Sequence, residues 1–147
     1  MKNLVPAIFG LFLMSILVSS CSKSTDTATA PKEQVVVGRW NINRMQLRIY
    51  YGGVFSKDTI VAQTPMPENF IQFDAAGNFQ YRFNTTAIDA GTYQFKGADS
   101  IIAISPIRTY RWKILTLYSY LFTMMNTSSS EGAYPGATVE TYFTLVH

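Results

Sequence analysis

Cysteine and histidine are almost absent from this chain of 147 residues, which contains one of each, Cys21 and His147. A Ser-His-Asp or Cys-His catalytic arrangement needs a histidine inside the fold, and the only histidine is the terminal residue, which we expect to be frayed. The same scarcity excludes a metal site built from cysteine and histidine. The composition therefore predicts no enzyme, no metal site and no cofactor.

Acidic residues are also scarce, with nine Asp and Glu against twelve Lys and Arg and a formal net charge of +3. The four aspartates beside predicted turns are Asp58, Asp74, Asp89 and Asp99. An aspartate in that position usually caps the local backbone, and the spacing of the acids does not fit a calcium-binding loop. The basic residues are scattered, whereas a nucleic-acid site needs a basic stripe. We therefore expect no catalytic carboxylate pair and no nucleic-acid partner.

Helical periodicity is missing from the chain after Val35, where apolar and polar residues alternate instead. The clearest alternating runs are 79–83, 92–96 and 110–114, and glycine-containing turns at 74–78 and 96–99 separate such runs. Alternation buries one face of a strand and leaves the other in solvent, as in antiparallel sheets. We predict an all-β fold, an antiparallel up-and-down β-barrel of eight or nine strands, because closure removes the sheet edges.

The first predicted strand changes phase along its length. Its large apolar residues are at even positions up to Ile42 and at odd positions from Met45 onward. One extra residue near Asn43 and Arg44 would bring both sets onto the same face, so we predict a β-bulge there. The segments 52–53 and 128–136 are predicted loops, and the second is long enough to be a candidate lid.

The N-terminal segment has the layout of a bacterial signal peptide: Lys2, an apolar run from Leu4 to Val18, and two serines before Cys21. The tetrad Val18-Ser19-Ser20-Cys21 resembles a lipobox, where lipoprotein signal peptidase cuts after a diacylglycerol has been attached to the thiol. The alternative is a transmembrane helix, but the run is shorter than the roughly 20 residues that cross a bilayer, and no basic cluster follows it. We predict that residues 1–20 are a cleaved signal peptide and that acyl chains on Cys21 anchor the protein in a membrane.

The segment after the predicted cleavage site, 21–34, has no large apolar side chain. Because it cannot bury enough surface to offset its ordering entropy, we predict a disordered, flexible tether. Residues 35–147 are sufficient for one barrel domain with a core. Ser22 is not the aspartate that retains lipoproteins at the inner membrane, so the expected location is the outer membrane of the cell envelope. The sequence does not distinguish the periplasmic face of that membrane from the surface face.

Short motifs in the predicted barrel resemble a known group. The sequence Gly38-Arg39-Trp40 at the start of the first strand is similar to the GxW signature of lipocalins, in which Gly38 and Trp40 would be structural. The succession of runs at 70–74, 77–79, 91–93, 99–101 and 112–117 resembles the bacterial lipocalin-like domain of Bacteroidetes lipoproteins, over 35–147. At matching positions the chain lacks the Thr-Asp-Tyr-type motif and the arginine that packs over the tryptophan in classical lipocalins. The resemblance implies a barrel with a calyx for a small molecule.

Aromatic residues make up 14% of the chain, and most of them lie on the apolar faces of predicted strands. One interpretation is that they fill the interior, since eight strands leave a barrel barely wide enough for side chains. The other is that they line a pocket in which tyrosine hydroxyls orient an apolar molecule. The candidate lining residues are Tyr81, Phe83, Tyr93, Phe95, Tyr110, Trp112, Phe122 and Tyr142.

The sequence is compatible with two functions. The first is a lipid-anchored envelope lipoprotein whose barrel binds a small hydrophobic or amphipathic ligand. The second is a non-catalytic protein-interaction module, such as an accessory subunit of an envelope complex, with a solid core. A cavity of several hundred Å³ would favour the first function. A filled interior with an exposed apolar patch near Tyr50, Tyr51 or Tyr134 would favour the second.

The substitution Cys21→Ser is expected to leave an unprocessed precursor, because the thiol is the group that accepts the diacylglycerol. Metabolic labelling with a palmitate analogue, read together with the intact mass, measures both acylation and cleavage. The neighbouring change Ser22→Ala serves as the control and keeps both. Normal acyl labelling of the Cys21→Ser protein would contradict the prediction.

Overall fold

Nine strands and one short helix make up the described part of the chain in a computed structural model, which covers residues 30–62, 68–84, 87–130 and 133–147. The helix is α1 (Lys32–Val35), and the strands are β1 (Gly38–Tyr51), β2 (Val54–Ala62), β3 (Phe70–Phe73), β4 (Asn78–Arg82), β5 (Asp89–Phe95), β6 (Ser100–Ile104), β7 (Thr109–Leu117), β8 (Leu121–Ser130) and β9 (Ala137–Val146). The predicted signal peptide, Cys21 and most of the predicted tether lie outside the described residues.

All the strands belong to one antiparallel sheet that closes on itself. Strand β1 pairs with β3, and each strand from β3 to β8 pairs with the next one along the chain. Strand β9 then pairs with β1, from Val146 opposite Asn41 to Ala137 opposite Tyr51, and this pairing closes eight strands into a barrel. The prediction of an all-β, antiparallel up-and-down barrel is confirmed, and the architecture is the one that lipocalins and streptavidin share.

Strand β2 lies outside the ring. The first part of β1, up to Asn41, pairs with β3, and the later part, from Met45 to Tyr51, pairs with β2 on the same edge. Strands β8 and β9 remain paired as far as Ser130 opposite Ala137. The upper parts of β8, β9, β1 and β2 therefore extend beyond the barrel as a four-stranded sheet, residues 47–62, 126–130 and 137–141, which we call the wing.

The predicted β-bulge is confirmed in β1. The register of β1 against β9 shifts between Ile42 and Arg44, so Asn43 is the extra residue. Trp40 before the bulge and Met45 after it are both buried in the same core. A single added residue thus keeps Trp40, Ile42 and Met45 in one core although their positions differ in parity.

The predicted turn at 74–78 is confirmed, with Asp74 as its cap. One carboxylate oxygen of Asp74 accepts hydrogen bonds from the backbone N–H groups of Ala76 and Asn78, at 2.9 and 2.7 Å. The hydrogen bond from the Asn78 side chain, followed by these backbone bonds, lowers the pKa of Asp74. Gly77 has a φ of 85°, a conformation that glycine adopts without steric cost.

The predicted loop at 128–136 is shorter than expected. Strand β8 continues to Ser130, because residues 128–130 pair with Val139, Thr138 and Ala137. Tyr134 packs against the buried cluster of Ile49, Ala137 and Val139. The connection is therefore a hairpin at the end of the wing.

The closed end of the barrel is built around Trp40, which is fully buried there as the sequence predicts. Its indole Nε1 donates a hydrogen bond to the carbonyl of Val36 at 2.8 Å. Its ring meets the edge of Phe122 at 5.5 Å and lies 3.9 Å from the ring of His147, centroid to centroid. A Cβ at Gly38 would lie 2.7 Å from the His147 ring, and the φ of Gly38 is 142°, so glycine is required beside this stack.

The C-terminal residue is ordered by that contact, which corrects the expectation that His147 is frayed. Stacking on the Trp40 indole holds its ring in place even though the residue is exposed on its other side. The ring of His147 therefore covers the tryptophan in a chain that lacks the arginine of classical lipocalins.

The predicted tether also needs correction at its end. Residues 32–34 are helical, and the Lys32 Nζ donates hydrogen bonds to the carbonyls of Gly97 and Ala98 at 2.7 and 2.6 Å. These bonds hold α1 against the turn between β5 and β6, and Val36 directly after α1 is buried. The folded part thus begins before residue 35, and an isolated domain should start at Ala30.

The substitution Trp40→Ala is expected to lower the free energy of unfolding by about 3–5 kcal/mol, because it removes a buried aromatic and leaves a cavity. Chemical denaturation of the chain 30–147 measures the change. The matched change Val54→Ala removes apolar atoms from a side chain that is 72% exposed, and it should cost no more than about 0.5 kcal/mol. Equal losses in the two variants would contradict the packing described for the closed end.

Candidate functional site

A column of aromatic rings fills the interior of the barrel from the closed end upward. Successive ring centroids are 5.5 Å (Trp40–Phe122), 6.3 Å (Phe122–Phe73), 6.0 Å (Phe73–Trp112), 4.9 Å (Trp112–Tyr110) and 5.5 Å (Tyr110–Tyr81) apart. Below Tyr110 every ring of the column is at most 1% exposed. This column therefore occupies the space that a deep calyx would need.

Two of the candidate lining residues lie in the fully buried part of the column, and two lie beside the closed end. Trp112 and Phe122 are buried within the column. The Tyr93 hydroxyl donates a hydrogen bond to the carbonyl of Asp74 at 2.9 Å, and the Lys32 Nζ lies 4.9 Å above the ring of Phe95. Trp112 and Phe122 therefore act in packing, whereas Tyr93 and Phe95 line a surface cleft of about 490 Å³ beside α1.

Tyr142 lies apart from the other candidates, on the outer face of β9. Its hydroxyl donates a hydrogen bond to Glu140 at 2.8 Å, and the same carboxylate oxygen accepts one from Tyr50 at 3.0 Å. The guanidinium of Arg48 lies 5.0 Å from the centre of the Tyr142 ring. Its neighbour Phe143 points into the core instead, so Tyr142 does not line the barrel.

The structure brings the remaining candidates, Tyr81, Phe83 and Tyr110, together at the open end. They line a cleft of about 410 Å³ whose other walls are Ala87, Ile88, Asp89, Ile107 and Arg108. The end of β4, the start of β5 and the connection from β6 to β7 supply these residues. The volume falls within the range of about 300–1,000 Å³ that is typical of small-molecule sites.

Asp89 organises the polar side of this cleft. It accepts a hydrogen bond from the Tyr110 hydroxyl at 2.5 Å, and the Arg108 Nε lies 3.9 Å from the same carboxylate oxygen. Burial, together with this hydrogen bond, raises the pKa of Tyr110. The Asp89 side chain is 11% exposed, whereas that of Arg108 is 60% exposed. Asp89 therefore pairs with the Nε side of a guanidinium whose side chain is largely exposed.

Tyr81 supplies a hydroxyl beside this ion pair. Burial, partly offset by the positive charge of Arg108, raises the pKa of Tyr81 to about 12. Its ring packs edge to face against Tyr110 at 5.5 Å. Within the described ranges the hydroxyl of Tyr81 has no hydrogen-bond partner, so it can donate a hydrogen bond to a bound molecule.

Sequence reasoning missed Asp89 and Arg108. Asp89 was expected to cap a turn, but it is the first residue of β5, and its hydroxyl partner Tyr110 lies 21 positions away on β7. That contact exists because β6 lies between the two strands and brings their ends to one rim. Two large apolar residues, Ile88 and Ile107, lie in connections between strands, where polar residues are usual. Both are exposed, and their presence in the sequence is the signal that could have indicated this site.

Other kinds of site receive no support from the described residues. No group of three His, Cys, Asp or Glu side chains in that part of the chain is placed to hold a metal ion. Among the same residues, no helix has the length and apolar character needed to cross a bilayer.

Comparison with known proteins gives a limited result. No family model matches this chain, and no curated protein matches it. Among solved structures it is similar to a deswapped triple mutant of bovine odorant binding protein, with 12% identity and a TM-score of 0.44. The match covers 77% of this chain and 74% of that chain. The fold described above rests on the strand pairing and not on this likeness.

The stability of the fold is expected to fall at alkaline pH in a way that depends on Tyr81. The tyrosine pKa is 10.0 in the unfolded chain and about 12 in the fold, so the unfolded chain releases its proton first as the pH rises. The contribution of Tyr81 to the free energy of unfolding is fully present below pH 10 and is lost as the pH rises through 12. It amounts to about 2–3 kcal/mol. Between pH 10 and pH 12, the free energy of unfolding of the Tyr81→Phe variant, measured by chemical denaturation, should fall less than that of the unchanged chain. An equal fall in both proteins would contradict this account.

Proposed function

We propose that this protein is a lipid-anchored binding protein of the cell envelope that holds a small amphipathic molecule at the open end of its barrel. The observation that carries the proposal is the cleft beside Tyr81 and Tyr110, where exposed isoleucines and an exposed arginine meet. Such a site suits a molecule with an apolar body and an acidic head. No group in the proposal performs catalysis.

The apolar side of the cleft favours a hydrophobic body. Ile107 and Ile88 are exposed, and Phe83 is half-buried behind them. Each 100 Å² of apolar surface that a ligand removes from water contributes about 2.5 kcal/mol. Because these side chains gain burial only when something covers them, their exposure at a concave site supports a hydrophobic ligand.

The polar side of the cleft favours an acidic head group. The Arg108 side chain is 60% exposed, and a planar guanidinium can bind a carboxylate or a phosphate through two N–H groups. The Tyr81 hydroxyl can donate a further hydrogen bond to the same head. Asp89 is already engaged by Tyr110, and so it serves to position the arginine.

The position of the proposed ligand differs from the calyx that the lipocalin resemblance implies. The rings from Trp40 to Trp112 fill the interior below the cleft. The molecule would therefore lie above Tyr110, at the rim, with one side open to solvent. A rim site of this kind suits transient binding more than permanent sequestration.

Lipid anchoring is part of the proposal and is supported by the sequence alone. The lipobox-like tetrad ending in Cys21 supports acylation of that residue and removal of residues 1–20. Ser22 after the cysteine supports an outer-membrane location. The binding site does not depend on the anchor, so the two parts can be tested separately.

A second candidate function, a protein-interaction module, is favoured by the edge of the wing. Within the described residues β2 pairs only with β1, and Val54 and Phe55 near its start are exposed. A free strand edge with apolar side chains can accept an extended segment of a partner protein by strand addition. This edge lies beside Tyr51, where the sequence analysis placed such a patch.

The ligand proposal is tested by binding of dodecanoate, a probe with an acidic head, to the chain 30–147 in calorimetric titrations. The change Arg108→Gln should weaken dodecanoate binding about tenfold, which corresponds to about 1.4 kcal/mol for one lost charged hydrogen bond. Arg111→Gln is the matched control, because Arg111 is exposed on the neighbouring part of β7 and does not line the cleft. Binding of uncharged dodecanol should be the same in both variants.

A failure of dodecanoate to bind, or equal effects of Arg108→Gln and Arg111→Gln, would contradict the proposed site. Extraction of the natively purified mature protein, followed by mass spectrometry, identifies the molecule that the site carries. An acidic amphiphile would support the proposal. Absence of any small molecule, together with a co-purifying protein that depends on Phe55, would support the interaction module instead.

A further inference from the structure

The turn between β7 and β8 exposes a pair of stacked tyrosines at the closed end of the barrel. Tyr118 is 55% exposed and Tyr120 is 68% exposed, with ring centroids 5.9 Å apart and ring planes at 13°. Leu115 near the end of β7 is also exposed. Two backbone hydrogen bonds between Tyr118 and Leu121, at 2.8 and 3.3 Å, hold the turn in shape. The rings are thus presented by a fixed backbone.

This aromatic turn differs from the two other hairpin turns at the same end. The turn after β3 presents Ala75 and Ala76, and the turn after β5 presents Gly97 and Ala98. The tyrosine rings of the third turn lie outside the buried core, so packing does not account for them. Tyrosine is enriched where a protein meets the interface of a bilayer, because its ring is apolar and its hydroxyl stays hydrated.

The chain enters the fold at this same end. Lys32 is hydrogen-bonded to the turn after β5, and Ala30 is the first described residue. Cys21 lies nine positions before Ala30, a span of at most about 30 Å even when fully extended. An acyl anchor on Cys21 would therefore keep the closed end, and not the open end, close to the bilayer.

We propose that the turn carrying Tyr118 and Tyr120 docks into the head-group layer of the membrane in which the protein is anchored. This inference rests on the proposed acylation of Cys21. Insertion of the two rings orients the barrel with its open end, and the cleft beside Arg108, away from the bilayer. The nearby turn carries both Lys96 and Asp99, so the contact depends on the rings and is insensitive to salt.

The test uses the full mature protein, acylated at Cys21 and reconstituted into vesicles of phosphatidylethanolamine and phosphatidylglycerol. The change Ser119→Cys, between the two tyrosines, keeps both rings and provides a free thiol for an environment-sensitive dye, since the sulfur of acylated Cys21 is blocked. Val54→Cys provides the matched control at the opposite end of the molecule, on a side chain that is also exposed. Flotation of the vesicles measures anchoring separately from the dye signal.

The expected result is a blue-shifted, several-fold brighter dye at position 119, quenched by spin-labelled lipid at low and at high salt, while the dye at position 54 gives the emission expected in water. Flotation with a water-like signal at position 119 would overturn docking and leave the anchor intact. Quenching at both positions would overturn the proposed orientation. Loss of flotation would show that the anchor is absent, and docking would be overturned with it.

Discussion

The width of an eight-stranded barrel is the constraint on which the rest of this structure depends. Such a barrel encloses little more than its own inward side chains, and here those side chains include a column of aromatic rings in mutual contact from Trp40 to Tyr81. These rings stabilise the fold through burial, and they occupy the depth that a ligand in a calyx would need. The proposed functional surfaces lie at the two ends of the barrel and on the wing.

The two ends have different physical character. At the closed end, Val36 and the ring of His147 contact Trp40, so the core is sealed by residues near both ends of the described chain. At the open end, the strands β3 to β6 stop early while β8, β9 and β1 continue into the wing. The rim left by the short strands is where Asp89 and Arg108 meet exposed isoleucines. Unequal strand lengths thus create the proposed site.

The fold was largely predictable from the sequence because its signals are local. Strand alternation, the turn at Asp74 and the bulge at Asn43 each depend on a few neighbouring residues. The site was less predictable, since the contact between Asp89 and Tyr110 requires three strands to be aligned. Tyr142 was misplaced because Phe143 beside it is also aromatic, and composition alone does not decide which of the two faces the core.

The most direct test of the account is an NMR titration of the chain 30–147 with dodecanoate, because rim and interior give separate signals. Shifts confined to the backbone amides of Ile88, Arg108 and Tyr110, with an unchanged indole signal from Trp40, are the predicted result. A large shift of the Trp40 indole, with smaller changes at the rim, would show that the ligand enters the column. That outcome would contradict the claim that the interior is filled and that binding occurs at its open end.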